Sequence, residues 1–360
     1  MSFIMNIRSV AKYESKILVR SWFFRIFTLL AVVFLGFFNF AMMLMEDNFG
    51  LWFAKSVSSN IPYLNLLLLN TGQAVVAVFL SSEFLKRDKK LDTFEVFYVR
   101  PLSNAEYVVG KIWGNLRVFL FLNLLVLAIV LAFNFMASGV TVDLPAYLVY
   151  FFLISIPTLI FIIGLSIFLM LLLKNQALTF ILLLGYIGLT LFYIQDKFYY
   201  LFDYMVYNLP LFKSTIVGFS NLELILNHRA IYFFAGLGFI FFTIFLFKRL
   251  PNARRSHYPW LFLSFCMFLL MVTAGFRHVR SILWEGEMRA LYTSINNKYV
   301  YEPKMAIDYY DISVEQKSET IRSVVGMEGT ALAASEVFIF CLNPGLRVCL
   351  LYTSPSPRDR

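Results

Sequence analysis

The residues of this chain that could do chemistry are few, and most of them sit in one polar segment, residues 86–114, KRDKKLDTFEVFYVRPLSNAEYVVGKIWG. A Gly-Lys pair cradles phosphate when a glycine-rich loop leads into it. Gly110-Lys111 has Ala105 where the first glycine of such a loop must stand, and no GxxxxGK[ST] occurs elsewhere. The chain is therefore expected to hydrolyse no nucleotide itself. His228, His257 and His278 lack metal-ligand spacing, HExxH is absent, and no disulfide can be argued from Cys266, Cys341 and Cys349. No catalytic residue and no metal site are assigned.

The segment has a local structure that can be read from its spacing. Leu91, Phe94, Phe97 and Tyr98 recur at helical intervals, so residues 92–99 are expected to form a short amphipathic helix with Asp92 and Glu95 on its polar face. Pro101 stops it, because the residue before a proline is pushed out of the α region. Ser103 with Glu106 three residues on is a capping box that starts a new helix running through Gly110, Lys111 and Gly114. The two glycines, four apart, would let another helix approach closely.

Hydrophobic runs must position this segment. Of the 360 residues 60% are hydrophobic and 15% charged, and the mean hydropathy is +0.73, which excludes an ordinary soluble domain. Seven runs are long enough to cross a bilayer as helices: residues 26–45, 61–85, 116–136, 146–173, 177–194, 231–247 and 260–276. The expected fold is an all-α polytopic bundle. With the N-terminus inside, sixteen Lys and Arg fall in the inner segments against four outside, Lys55, Lys197, Lys213 and Arg229. The net charge of +9 is thus read as a topology signal and not as a nucleic-acid surface.

Residues 4–20 alternate apolar and basic positions and are expected to lie along the inner leaflet, within a cytoplasmic segment 1–25. Asn65, Asn70 and Gln73 in the second span could line a path or could bond neighbouring helices. The spans otherwise read as free of buried carboxylate, His or Lys, so energy for transport would have to come from outside the chain. Residues 195–229, rich in tyrosine, suggest short interfacial helices on the outer side or an aromatic loop resting at the headgroups. After residue 276 the pattern turns to alternation, at 305–314, 321–327 and 337–342, as in the opening of an antiparallel β domain over residues 277–348.

Glu83, Arg87, Leu91-Asp92-Thr93, Glu95, Arg100-Pro101-Leu102-Ser103, Glu106 and Gly110-Lys111 resemble the pattern between the second and third helices of ABC-2 type transporter permeases. That family carries an acidic and a basic residue and a GT-x-E core before P-x-S and a GK pair; here Asp92 replaces the usual glycine. The resemblance implies a permease domain, residues 26–276, whose coupling helix seats in a cytoplasmic ABC ATPase subunit. Docking would fall to Arg87, Leu91, Asp92, Thr93, Phe94, Glu95, Tyr98 and Arg100, and the restart to Pro101, Ser103, Glu106, Gly110 and Lys111. ATP and magnesium would be bound by that partner, with no cofactor in this chain. It further implies a homodimer or paired permease in a bacterial cytoplasmic membrane, N-terminus cytoplasmic and C-terminus extracytoplasmic.

The runs 310–314 and 338–346 are similar to the first strands of the β domain that precedes the catalytic part of gluzincin aminopeptidases. An alternative is therefore a membrane-anchored peptidase-like or binding protein whose bundle is only an anchor. Residues 349–359, CLLYTSPSPRD, resemble a translated sequencing adapter, so residues 349–360 are expected to be artificial.

Overall fold

The computed structural model describes residues 3–44, 58–82, 102–136, 142–194, 196–209, 211, 213, 218–219, 221–247, 258–302, 305–317, 320–334, 339–340, 342 and 346–347. All of the expected docking set, Arg87, Leu91, Asp92, Thr93, Phe94, Glu95, Tyr98 and Arg100, lies outside the described residues, as do Pro101 and residues 349–360.

This is a multi-pass membrane protein. Among the described residues a helix α1, Phe3–Arg20, precedes seven helices long and apolar enough to cross a membrane: α2 Trp22–Leu44, α3 Asn60–Ser82, α4 Asn104–Met136, α5 Leu144–Leu173, α6 Gln176–Ile194, α7 Leu222–Leu246 and α8 Tyr258–Lys298. The seven agree with the seven hydrophobic runs. Three boundaries do not. Helix α4 begins twelve residues before its apolar run, α7 begins at Leu222 and not near residue 231, and α8 continues past residue 276.

Local chemistry sets the breaks. Between α1 and α2 only Ser21 leaves the helix, and its hydroxyl accepts from the amide of Phe24 at 3.2 Å as an N-cap. Between α5 and α6, Lys174 turns left-handed at φ 53° and Asn175 caps α6 by accepting from the Leu178 amide at 3.2 Å. Two residues suffice to reverse the chain there.

Helix α5 is interrupted by a π turn, Phe151–Ser155. Its cause lies six residues from the turn's start. Pro157 has no N–H to give the carbonyl of Leu153, and its ring crowds that oxygen, so the ladder widens and leaves an acceptor free.

Helices α3 and α5 are enclosed by the rest, whereas α2 and α8 turn residues such as Trp22, Phe37, Phe262 and Phe276 outward. Outward apolar faces on membrane-spanning helices are what lipid requires. The crossing of α5 and α7 is tight: a Cβ on Gly236 would sit 2.7 Å from the backbone of Ile160, and one on Gly164 would sit 2.7 Å from the carbonyl of Gly236.

Residues 283–360 form a second compact unit. It contains a hairpin of β1, Met305–Lys317, and β2, Thr320–Ala331, paired antiparallel with an irregularity at Ile307/Tyr309. Register places Tyr310 opposite Met327, Ile312 opposite Val325 and Val314 opposite Ser323, giving one apolar face; Tyr309 with Glu328 and Glu315 with Arg322 give a polar one. The first two expected strands are thus present. Of the third, the described residues 339, 340 and 342 are not in a strand.

Gly236→Ala should push α5 and α7 apart and cost about 1–3 kcal/mol, as overpacking does. Thermal unfolding in detergent should show the loss, while Gly185→Ala, where a Cβ meets nothing within 4 Å, should show none.

Candidate functional site

The described part of the polar segment begins at Leu102 and is built as its spacing requires. The Glu106 amide donates to Ser103 Oγ at 3.2 Å, and the Ser103 amide donates to Glu106 Oε2 at 2.6 Å, a closed capping box. Glu106 Oε1 accepts from Asn6 Nδ2 at 2.8 Å, so the cap is also tied to α1. Asn104 Nδ2 donates to the carbonyl of Phe247 at 2.5 Å, and the rings of Tyr107 and Phe247 stack at 5.5 Å. The start of α4 is held by α1 on one side and by the end of α7 on another.

Gly110 and Gly114 do admit a helix, and the helix is α1. A Cβ on Gly110 would stand 2.7 Å from Val10 Cβ, and one on Gly114 2.9 Å from the Ala11 carbonyl. Helix α1 answers with small residues at the same interval, Ala11 and Ser15, and Ser15 Oγ donates to the Gly114 carbonyl at 2.6 Å. Lys111 Nζ lies 3.8 Å from Glu14 Oε2, both side chains buried. Arg117 reaches across to the Ala11 carbonyl at 2.9 Å and to Ser15 Oγ. Of the helix expected over residues 4–20, the face with Ile7, Val10 and Glu14 is taken by α4, and the Arg8, Lys12 and Lys16 face is exposed.

Asn65, Asn70 and Gln73 are buried and bonded across helices. Asn39 and Asn65 exchange amide bonds at 2.7 and 3.0 Å between α2 and α3. Gln73 donates to Asn70 at 2.6 Å, Asn123 donates to Gln73 at 2.9 Å, and Ser155 donates to Asn123 at 2.7 Å, joining α3, α4 and α5. Each of these three side chains is used in packing within the single chain.

The opposite end of the bundle holds a cluster absent from the candidate residues read from sequence. Residues 198–209 form no interfacial helix beyond a three-residue turn, Phe198–Tyr200; Tyr204, Met205, Val206 and Leu209 are buried among the helices. Phe198, Tyr199, Tyr200 and Val206 have φ between 52° and 66°, a left-handed backbone that costs a non-glycine residue roughly 1–2 kcal/mol. Side chains from the helices hold this backbone by its carbonyls. His278 Nε2 donates to Tyr199 O at 2.9 Å, His228 Nε2 to Tyr200 O at 3.0 Å, Tyr232 to Leu201 O, Arg229 Nη1 to Tyr204 O at 2.8 Å, Tyr63 to Val206 O at 3.1 Å and Tyr150 to Leu211 O at 2.7 Å.

Arg229 links that loop to the π turn. Its Nε donates to the Leu153 carbonyl freed by Pro157 at 2.7 Å, and its Nη2 donates to Thr158 Oγ1 at 2.8 Å and to Ile154 O at 3.3 Å. Arg229 is 2% exposed and His228 and His278 are 0% exposed, which overturns two expectations. Arg229 is not a loop charge, and the spans do carry buried ionisable groups. Asp203, in the loop, accepts from the amides of Tyr207 at 3.0 Å and Asn208 at 2.8 Å. Burial pushes its carboxyl up from the ordinary carboxylate range, against the pull of those amides and of Arg229.

Among the described residues no group of three or more His, Cys, Asp and Glu gathers as a metal site. No family model matches this chain, and no curated protein matches it.

Arg229→Leu should take the side-chain donor from the Leu153 and Ile154 carbonyls, leave Tyr204 O with Thr158 Oγ1 alone, and cost about 3–5 kcal/mol. Arg229→Lys should recover little of it, since an ammonium cannot reach acceptors on two sides with a planar fork. Chemical unfolding in micelles, compared among the three proteins, measures both.

Proposed function

We propose that this chain is the membrane-embedded permease subunit of an ABC-2 type exporter, driven by a separate cytoplasmic ATPase subunit that binds ATP and magnesium. The observation that carries the reading is the seat of the polar segment. A connector that receives force from another polypeptide has to deliver it to something stiff. The capped start of α4, locked to α1 through Gly110, Gly114 and the Glu14–Lys111 pair, is such a place.

In this reading Leu91, Phe94, Glu95 and Tyr98 take the push when the ATPase dimer closes, Arg87, Asp92, Thr93 and Arg100 flank the contact, and α4 carries the motion into the bundle. The partner permease would be a second copy or a paired half, the membrane a bacterial cytoplasmic one, and the N-terminus cytoplasmic. Two supports stand behind it: the likeness of residues 83–111 to the ABC-2 pattern, and the basic face of α1, Arg8, Lys12 and Lys16, beside that segment's seat. The buried His228, Arg229 and His278 remove a third, namely the argument that spans free of ionisable groups must draw energy from a partner. A second reading, the anchored extracytoplasmic domain, is favoured by the one-sided apolar hairpin of β1 and β2, and it is compatible with the first.

Glu95→Arg should abolish co-purification of ATPase activity with the tagged chain from its native membranes while membrane insertion persists. Retained ATPase would remove the docking assignment. Labelling of a cysteine placed at Phe94 or Arg100 should occur only from the cytoplasmic side; labelling from the far side would remove the orientation with it.

A further inference from the structure

We propose that His228 and His278 form a proton-operated latch that holds the buried loop, residues 198–209, inside the bundle while both imidazoles are neutral and releases it when they are protonated. The inference stands on the loop end of the bundle and does not depend on the transport reading.

The geometry assigns the tautomers. A carbonyl can only accept, so the Nε2 atoms that face Tyr200 O and Tyr199 O carry hydrogen, and in the neutral ring Nδ1 is left with a lone pair. Both Nδ1 atoms are buried without a hydrogen-bond partner. A lone pair in that position is tolerable. Protonation would turn His228 Nδ1 into a buried N–H donor with nothing to donate to, and donors left so are costlier than acceptors; at His278 the Leu224 carbonyl faces the ring and offsets part of that cost.

Charge adds to the effect. The two rings lie 5.1 Å apart between centroids, and His228 is next in sequence to Arg229, whose guanidinium is fixed among carbonyls. Two imidazolium ions there would make three cations in one place closed to water. The groups that face them supply little relief. On α7 these are Tyr232 and Glu223, on the loop Tyr199, Tyr200, Asp203 and Tyr204, and on α8 Arg277. Asp203 has its oxygens on the Tyr207 and Asn208 amides, and Glu223 pairs with Arg277 at 3.0 Å on the exposed side.

The loop is also poised to leave. Tyr199 and Tyr200, the residues whose carbonyls the imidazoles hold, are two of three consecutive left-handed residues, so letting go of them relieves backbone strain. Release would free Tyr204 and Val206 from their partners in turn, because the chain between is short. What would open is the interior lined by Thr71, Thr158 and Arg229, which the loop now fills.

The test is hydrogen exchange of the full chain in lipid nanodiscs, corrected for intrinsic exchange rates, from about pH 7.5 to about pH 4.5. Wild-type peptides covering residues 198–209 should lose protection by about tenfold or more on acidification, while peptides from residues 104–122 keep theirs. The double variant His228→Gln, His278→Gln, whose amides can still donate to the two carbonyls but cannot be protonated, should keep the loop protected at the acid end. Unchanged wild-type protection overturns the proposal, and that reading needs no variant to fold. So does loss of protection throughout the chain, which is acid unfolding. A pH response that survives the double variant, or that disappears in Asp203→Asn with both histidines present, assigns the effect to another group and overturns it as well.

Discussion

Inside a membrane-spanning bundle a carbonyl that leaves the helical ladder has no water to turn to, and this constraint organises the molecule. Among the stretches that break the ladder are the π turn, Phe151–Ser155, and the loop over residues 198–209. Both expose acceptors, so what they need is donors. The side chains that meet them are Tyr63, Tyr150, His228, Arg229, Tyr232 and His278, all long and each bringing an N–H or O–H. A carboxylate would be useless in those positions. The one carboxylate of the loop, Asp203, instead takes the loop's own amides. Residue type follows from which half of the peptide bond was left bare.

The other end of the bundle is closed by a different principle. There the ladder is intact and the helices approach through small residues, Ala11 and Ser15 against Gly110 and Gly114. Close backbones leave little room for side chains to slide, so the crossing is stiff. The ion pair of Glu14 with Lys111 and the reach of Arg117 to Ala11 then fix its register. A crossing held this way moves as a body. An end held by hydrogen bonds to a strained loop can let go one contact at a time. The amide chain of Asn70, Gln73, Asn123 and Ser155 lies between, joining α3, α4 and α5 through donors and acceptors that satisfy one another.

What could be read from sequence was what depends on neighbours in sequence. Seven apolar runs, the capping box of Ser103 with Glu106, the hairpin alternation and the tight break at Lys174 and Asn175 are all local signals, and each has its counterpart in the structure. Gly110 and Gly114 announced a close approach, but nothing nearby named α1 as the helix that makes it. The start of α7 was the largest miss. Glu223, Asn227, His228 and Arg229 count as loop by hydropathy but are helical, and for His228 and Arg229 a loop some thirty residues earlier supplies the acceptors. Pro157 is the local signal for the π turn. A proline inside an apolar span frees the carbonyl four residues back, and that carbonyl must find a donor such as Arg229.

The buried cluster bears on how the bundle could be powered. An ion-coupled carrier needs intramembrane groups that exchange partners with the ion during the cycle. In Arg229 the Nε, Nη1 and Nη2 atoms are all committed to carbonyls or to Thr158, and each imidazole has its Nε2 on the loop. In this arrangement Arg229 and the two neutral imidazoles are fasteners. Protonation of the imidazoles would release the loop, which couples ionisation to the position of residues 198–209 and not to a path through the helices. Proton binding at that end would therefore set whether the bundle is closed. It would not by itself carry a substrate across, and in the proposed function that work falls to the seat at the opposite end.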